Sequence, residues 1–235
     1  MDNHYNAAVF LRLSQLFQDE NWDALPRYLD SLSNAHFRTA GYLMGERLMP
    51  LLSPQAFWEV MLRLVNWQPK AFTVTTAKAA AQRLKDGSLT LDDEGFIRLC
   101  EALKDEKRQL DREKILLQWL PVLTQPDAIE KLFLRLNIHS SLRRTDFLLR
   151  TDGLPAAFVL LRTLRFEEHN RAFLLATARE LIKRGDNLAF NLASLLRAYF
   201  DLSELRGTFS LTLQPYELSR LDTDFDVFRR VVTKV

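Results

Sequence analysis

Gly153-Leu154-Pro155-Ala156-Ala157-Phe158-Val159-Leu160-Leu161-Arg162-Thr163-Leu164-Arg165-Phe166 is the stretch that decides the architecture. From Leu154 to Leu161 it is apolar around more than half of a helical circumference, and a helix of that kind has to be covered on two sides. A second segment of the same character, Leu188–Phe200, follows after one intervening stretch. Stacked helix pairs supply the cover, because each pair is sandwiched between its predecessor and its successor.

Outward from there the same grammar repeats. Phe57, Met61, Leu64 and Val65 recur at i, i+4, i+7 and i+8 behind Ser53-Pro54, where serine can cap and proline can sit in the first turn without losing a hydrogen bond. Phe96, Leu99, Cys100 and Leu103 follow Thr90-Leu91-Asp92-Asp93, a capping box with carboxylates at the positive helix end. Ile129, Leu132, Phe133 and Leu136 follow Thr124-Gln125-Pro126-Asp127. Gly87, Gly153 and Gly185 mark helix ends, the last behind a basic turn holding Lys183 and Arg184, and Asp186 caps the next segment at once. Helices are expected over 5–18, 22–33, 36–50, 54–66, 69–85, 91–104, 108–123, 126–137, 140–150, 154–166, 168–184 and 187–200. Connections of a few residues make sequential helices antiparallel neighbours. The expectation is therefore an all-α chain of stacked antiparallel helix pairs, an α-solenoid of the HEAT type forming a curved layer, with a compact irregular bundle as the alternative.

Ala71-Phe72 with Thr76-Ala77-Lys78 resembles Ala172-Phe173 with Thr177-Ala178-Arg179, an offset that would hold three helical-pair units of about 34 residues. Residues 1–206 are expected to form the helical-repeat domain. The charge-dense Lys104–Lys114 offers a weak division near 104–108. Beyond Gly207 the period changes: Phe209, Leu211 and Leu213 alternate with Ser210 and Thr212, which suits a short strand that Pro215 ends. Such a strand must pair with residues 231–235, dock on the helices in extended form, or join another chain through 207–213 as a homodimer. Residues 207–235 are thus expected to hold this strand and a short helix around Phe225–Val232, capped by an aspartate-rich turn.

Composition bounds the classes. Only 7 glycines and 8 prolines interrupt 235 residues, 47% of them hydrophobic, so a substantial core forms without disulfides. The one cysteine, Cys100, rules out an internal disulfide and multi-thiolate metal sites, and lies on an apolar stripe where it reads as a packed thiol. Neither a signal peptide nor a membrane span is expected, and cytoplasm is the default location.

Chemistry leaves few marks. The sequence lacks a Gly-rich phosphate loop, a Gly-x-Ser-x-Gly elbow, a His-Glu-x-x-His pair and a Cys-x-x-Cys, so no enzyme activity, cofactor or metal is expected. His4, His36, His139 and His169 are scattered, and Glu167-Glu168-His169 reads as an acidic first turn. Asp222, Asp224 and Asp226 match the first positions of a calcium loop, but Val227 stands where glycine and Thr233 where glutamate is needed. Trp22, Trp58, Trp67 and Trp119 read as core.

The charge distribution carries one signal. Net charge is +2, yet residues 131–184 hold eleven bases against the five acids Asp146, Asp152, Glu167, Glu168 and Glu180. The candidate basic patch is Arg143, Arg144, Arg150, Arg162, Arg165, Arg171, Arg179 and Lys183. Asp146–Arg150, Glu180–Arg184 and Glu168–Arg171 are spaced to pair locally and reduce it. In length, and in the use of a basic helical surface, the chain resembles the helical-repeat DNA glycosylases of the alkylpurine class. Their tryptophan-rich catalytic segment has no counterpart here, since Asn21-Trp22-Asp23 lies in the first helical pair, and no family is claimed. The expected function is a non-catalytic intracellular scaffold that binds a protein partner along one face, with nucleic-acid backbone binding through residues 131–184 as the alternative.

Overall fold

Every described residue with regular structure is helical in the computed structural model, which describes residues 2–67, 79–88, 113, 116–167 and 170–234. Two compact units emerge, Met1–Val122 and Leu123–Val235. The boundary lies at the end of the helical turn Leu120–Val122, and residues 207–235 belong to the second unit. The expected division near 104–108, the helix at 91–104, Cys100 and the first copy of the repeat at 71–78 lie outside the described residues.

In the first unit α1 (Asp2–Gln18) packs against α2 (Ala24–Asp30) and α3 (Asn34–Leu43). The expected single helix over 36–50 changes winding twice: α3 continues as a π-helical turn, Met44–Leu48, then as a tighter turn, Met49–Leu51. Pro50, which has no N–H to offer, sits in that tighter turn. α4 (Pro54–Trp67) opens as expected, the Ser53 hydroxyl accepting from Ala56 N–H at 3.2 Å, and buries Phe57, Val60, Met61 and Leu64. Residues 79–85 are also helical. There Arg83 is buried, donating to the Met49 carbonyl at 3.3 Å with its guanidinium 4.9 Å from the Phe57 ring centre. Carbonyl and ring together replace the water that a buried cation loses. Trp22 and Trp119 are core residues, as read from the sequence.

The second unit holds α5 (Pro126–Arg135), α6 (Ser141–Leu149), α7 (Leu154–Arg165), α8 (Arg171–Arg184), α9 (Asn187–Tyr199), α10 (Pro215–Arg220) and α11 (Phe225–Thr233). α7 buries Ala156 through Leu161 together with Thr163 and Leu164. It can do so because α5, α6, α9 and α11 all pack on it. α9 is enclosed in the same way by α7, α8 and α11. Each of α5 to α9 thus touches the next helix or the next but one, which sets α5, α7 and α9 side by side and α6 beside α8. Caps fix the joints: Gly185 adopts φ 76° at the end of α8, and the Asp186 carboxylate accepts from Ala189 N–H to open α9.

Among the described residues there is no strand, and residues 209–214 run without helix, turn or bend. Phe209 N–H donates to the Ser194 hydroxyl of α9 at 3.1 Å, and the Phe209 ring meets Phe190 edge-on at 5.0 Å. Pro215 does not end an element but begins one. It occupies the first turn of α10, where the Glu217 carboxylate reaches back to Gln214 N–H at 2.9 Å. Asp224 then accepts from Asp226 and Val227 N–H to cap α11, the terminal helix expected around 225–232. Val227, Phe228, Val231 and Val232 form one stripe on α11 that lies on α7 and α9. At about 1.5–3 kcal/mol for each large apolar side chain buried, this packing keeps a nine-residue helix folded that would be marginal alone.

Candidate functional site

The sequence-predicted basic window does not gather into one stripe. Three of its members converge on a cleft of about 600 Å³ lined by Glu130, Arg144, Arg162, Thr163, Arg165, Phe166, Asp222 and Thr223. Arg162 and Arg165, three residues apart, share a face in the last turn of α7, where cations also suit the negative helix end. Arg144 reaches in from α6. Its Nε donates to the Ile138 carbonyl at 2.7 Å, its Nη1 lies 3.4 Å from Glu130 Oε2, and its guanidinium covers the Phe133 ring at 5.5 Å. The other Glu130 oxygen is 3.9 Å from Arg162 Nε, and Arg162 also meets Asp127 at 4.0 Å and the Phe158 ring at 5.6 Å. Arg165 pairs with Asp222, a carboxylate in the turn before α11 that is only 6% exposed.

Glu130 on α5 therefore orients two guanidiniums and Asp222 orients the third. Arginine suits this arrangement because its planar fork can bond one carboxylate and still present donors on its other edge. Beside the cleft the Phe166 ring is 84% exposed. The Thr163 hydroxyl donates to the Val159 carbonyl at 2.8 Å. Among the described residues no group of His, Cys, Asp and Glu could hold a metal ion.

The remaining candidates lie elsewhere in the second unit. Arg150, Lys183 and Arg184 line a cavity of about 490 Å³ together with Asp146 and Glu180. Arg150 Nη2 donates to both Asp146 oxygens at 2.8 Å, as the i,i+4 spacing predicts. The expected Glu180–Arg184 pair is replaced by Glu180–Lys183 at 2.6 Å. Arg184 is occupied otherwise: it bonds the Leu149 carbonyl at 3.2 Å, the Thr151 carbonyl at 3.1 Å, Asp152 and Asp186. Burial alone would raise the Asp186 carboxyl, but the Ala189 N–H and the Arg184 guanidinium outweigh it and hold the group below the usual carboxylate range.

Arg171 grips Glu204 with two bonds, at 2.6 and 2.5 Å, and the Asp201 carbonyl at 2.9 Å. Its side-chain bonds hold the Glu204 carboxyl down at about 2. The partner proposed for Arg171 from sequence, Glu168, lies outside the described residues. Arg143 is exposed on α6, and Arg179, exposed on α8, makes no ion pair among the described residues. Of the calcium-like aspartates, Asp222 pairs with Arg165, Asp224 caps α11 and Asp226 bonds Arg229 at 2.8 Å. Glu130, Asp222, Phe166 and Glu204 are the residues that sequence reasoning missed. Glu130 carried a weak signal, three residues after Asp127 on the same face of α5, whereas Asp222 and Glu204 meet their arginines across 57 and 33 residues with no local trace. No family model matches the chain, and no curated protein and no solved structure matches it.

Proposed function

We propose that this chain is a non-catalytic, intracellular helical scaffold whose paired helices stack as a HEAT-like layer, and that it holds a protein partner at the Arg144, Arg162 and Arg165 cleft. The stacking is supported in the second unit by the succession of contacts from α5 to α9, each helix touching the next or the next but one. The observation that carries the reading is the 84% exposed ring of Phe166 beside three guanidiniums already oriented by Glu130 and Asp222. Exposed aromatic rings next to oriented arginines have the composition of an interface core, where a few such side chains carry most of the affinity. A pre-oriented guanidinium loses little freedom when a partner arrives, so the partner is expected to offer carboxylates around an apolar anchor.

The test is quantitative capture of cross-linked partners from native lysate by wild-type protein and by Phe166→Ala. Phe166 is 84% exposed, so the variant should keep its melting behaviour while the captured partner falls about tenfold or more. Equal capture by both proteins, or no protein enriched by either, would overturn the reading.

A further inference from the structure

Another cavity of the second unit, about 400 Å³, lies at the C-terminal end of α9, where Arg197 and Ala198 line it together with Asp201, residues 210–213 and Leu218 of α10. Its volume stands near the lower end of the range for ligand pockets, about 300–1,000 Å³, and suits a small molecule. Arg197 sets it apart. Arg144, Arg162 and Arg184, the other half-buried arginines described in the second unit, each meet a carboxylate. Arg197 makes no ion pair among the described residues: its Nη1 donates to the Thr208 carbonyl and hydroxyl, at 3.2 Å each, and its Nε and Nη2 have no partner there.

Asp201 stands four residues on, the spacing at which a helix would pair the two. With φ 50° it has already left α9, and it forms no ion pair with Arg197. Nor do the backbone N–H groups of residues 210–213 make a hydrogen bond among the described residues. The cavity therefore joins a cation with a free edge, an anion, spare N–H donors and the apolar side chains of Leu211, Leu213 and Leu218. The free edge of a guanidinium, Nε and Nη2, matches both oxygens of a carboxylate. One base and one acid in the lining leave no net charge, which disfavours a phosphate with nearly two negative charges. A cationic group, in turn, suits Asp201 and the negative end of α9. We infer that the cavity binds a free α-amino acid with an apolar side chain: its carboxylate on Arg197 and the N–H groups of 210–213, its ammonium beside Asp201, and its side chain against Leu211, Leu213 and Leu218. A peptide C-terminus would bring the carboxylate without the ammonium, and a peptide N-terminus the reverse. The inference uses other residues than the Arg144 cleft, and either reading can fail without the other.

Titration of the full chain with L-leucine, followed by amide chemical shifts, tests it. Saturable shifts are expected below about 10 mM, centred on residues 210–213 and 218. N-acetyl-leucine, which lacks the ammonium, and leucinamide, which lacks the carboxylate, should each bind about tenfold more weakly or worse. Arg197→Met should weaken leucine by as much while changing leucinamide little, and Asp201→Asn should weaken leucine while changing N-acetyl-leucine little. Absence of saturable shifts with leucine, shifts centred elsewhere, either analogue binding as tightly as leucine, or variants that bind leucine as wild type does would overturn the inference. Should Arg197→Met lose its helical signal, the comparison of the three ligands on the wild type decides.

Discussion

Arg184 offers the sharpest test of how the second unit is held together. It stands in the last turn of α8 and spends its donors on the chain leaving α6, bonding the carbonyls of Leu149 and Thr151, and on the carboxylates of Asp152 and Asp186. Arg184→Met keeps most of the apolar stem and removes the fork. The two carbonyl bonds should dominate the loss, because Thr151 is buried and its carbonyl would be left without a donor; at about 1 kcal/mol each they amount to about 2 kcal/mol. Asp152 is 84% exposed and Asp186 41%, so water screens both ion pairs and together they add about 0.5–1 kcal/mol. The expected cost is about 2–3 kcal/mol in denaturant unfolding, or about 5–10 °C in melting temperature for a chain of this size. Asp152→Asn removes only the exposed pair and should cost about 0.5 kcal/mol or less. If Asp152→Asn costs as much as Arg184→Met, or if Arg184→Met costs under about 0.5 kcal/mol, the claim that carbonyl bonds tie α6 to α8 is wrong.

Three further outcomes are expected. Because the Glu204 carboxyl is held down at about 2 when folded, against 4.5 when free, its contribution to stability is fully present above pH 4.5 and is lost as pH falls through about 2; in Arg171→Ala its carboxyl resonance should titrate higher, part of the way back toward 4.5 because the backbone bond at Glu204 and the Ser203 side chain still lower it, and an unmoved midpoint would contradict the assignment. Gly153 adopts φ 106° and ψ 151°, a region that only glycine occupies readily, whereas Gly185 at φ 76° and ψ 3° is left-handed helical. No neighbour lies closer than 3.8 Å to an added Cβ at either site, so backbone strain alone should make Gly185→Ala cost about 1 kcal/mol and Gly153→Ala more, and the reverse order in denaturant unfolding would exclude that explanation. Ending the chain at Gln214 strips α11 from α7 and α9, and the cooperative unfolding transition of the second unit should be lost; a truncated chain that melts as the full one does would show that α11 is dispensable.

Helix placement was legible because apolar period and caps are local. Ser53, Gly185, Asp186 and Asp224 each act within four residues of where they stand, and each does what its spacing implied. Gln214-Pro215-Tyr216-Glu217 was legible in principle as well: Gln214 and Glu217 have capping-box spacing, and Pro215 fits a first turn as readily as a strand end. The charge window misled for a different reason. Counting bases against acids within 131–184 treats the window as its own environment, yet Arg165 finds Asp222, Arg171 finds Glu204 and Arg162 finds Asp127, all outside it. A patch is the charge left after such pairing, and pairing is tertiary. The cleft was hidden for the same reason, since its floor is Glu130 and Asp222, which no periodicity joins to Arg144 or Arg165.

α11 ties these observations together. By laying Val227, Phe228, Val231 and Val232 on α7 and α9 it covers apolar surface of both helices. The same stretch of chain delivers Asp222, three residues before α11, to Arg165. Closing the core and orienting the cleft are thus one packing event, and a weakened α11 would loosen the Arg165 guanidinium even though the helix lines no part of the cleft. Among the described residues of the second unit, Leu134, Leu142, Phe166, Phe209, Tyr216 and Leu218 keep large apolar side chains exposed. Phe166 is the most exposed of these, which is why the proposed recognition by oriented guanidiniums takes its ring as the apolar anchor.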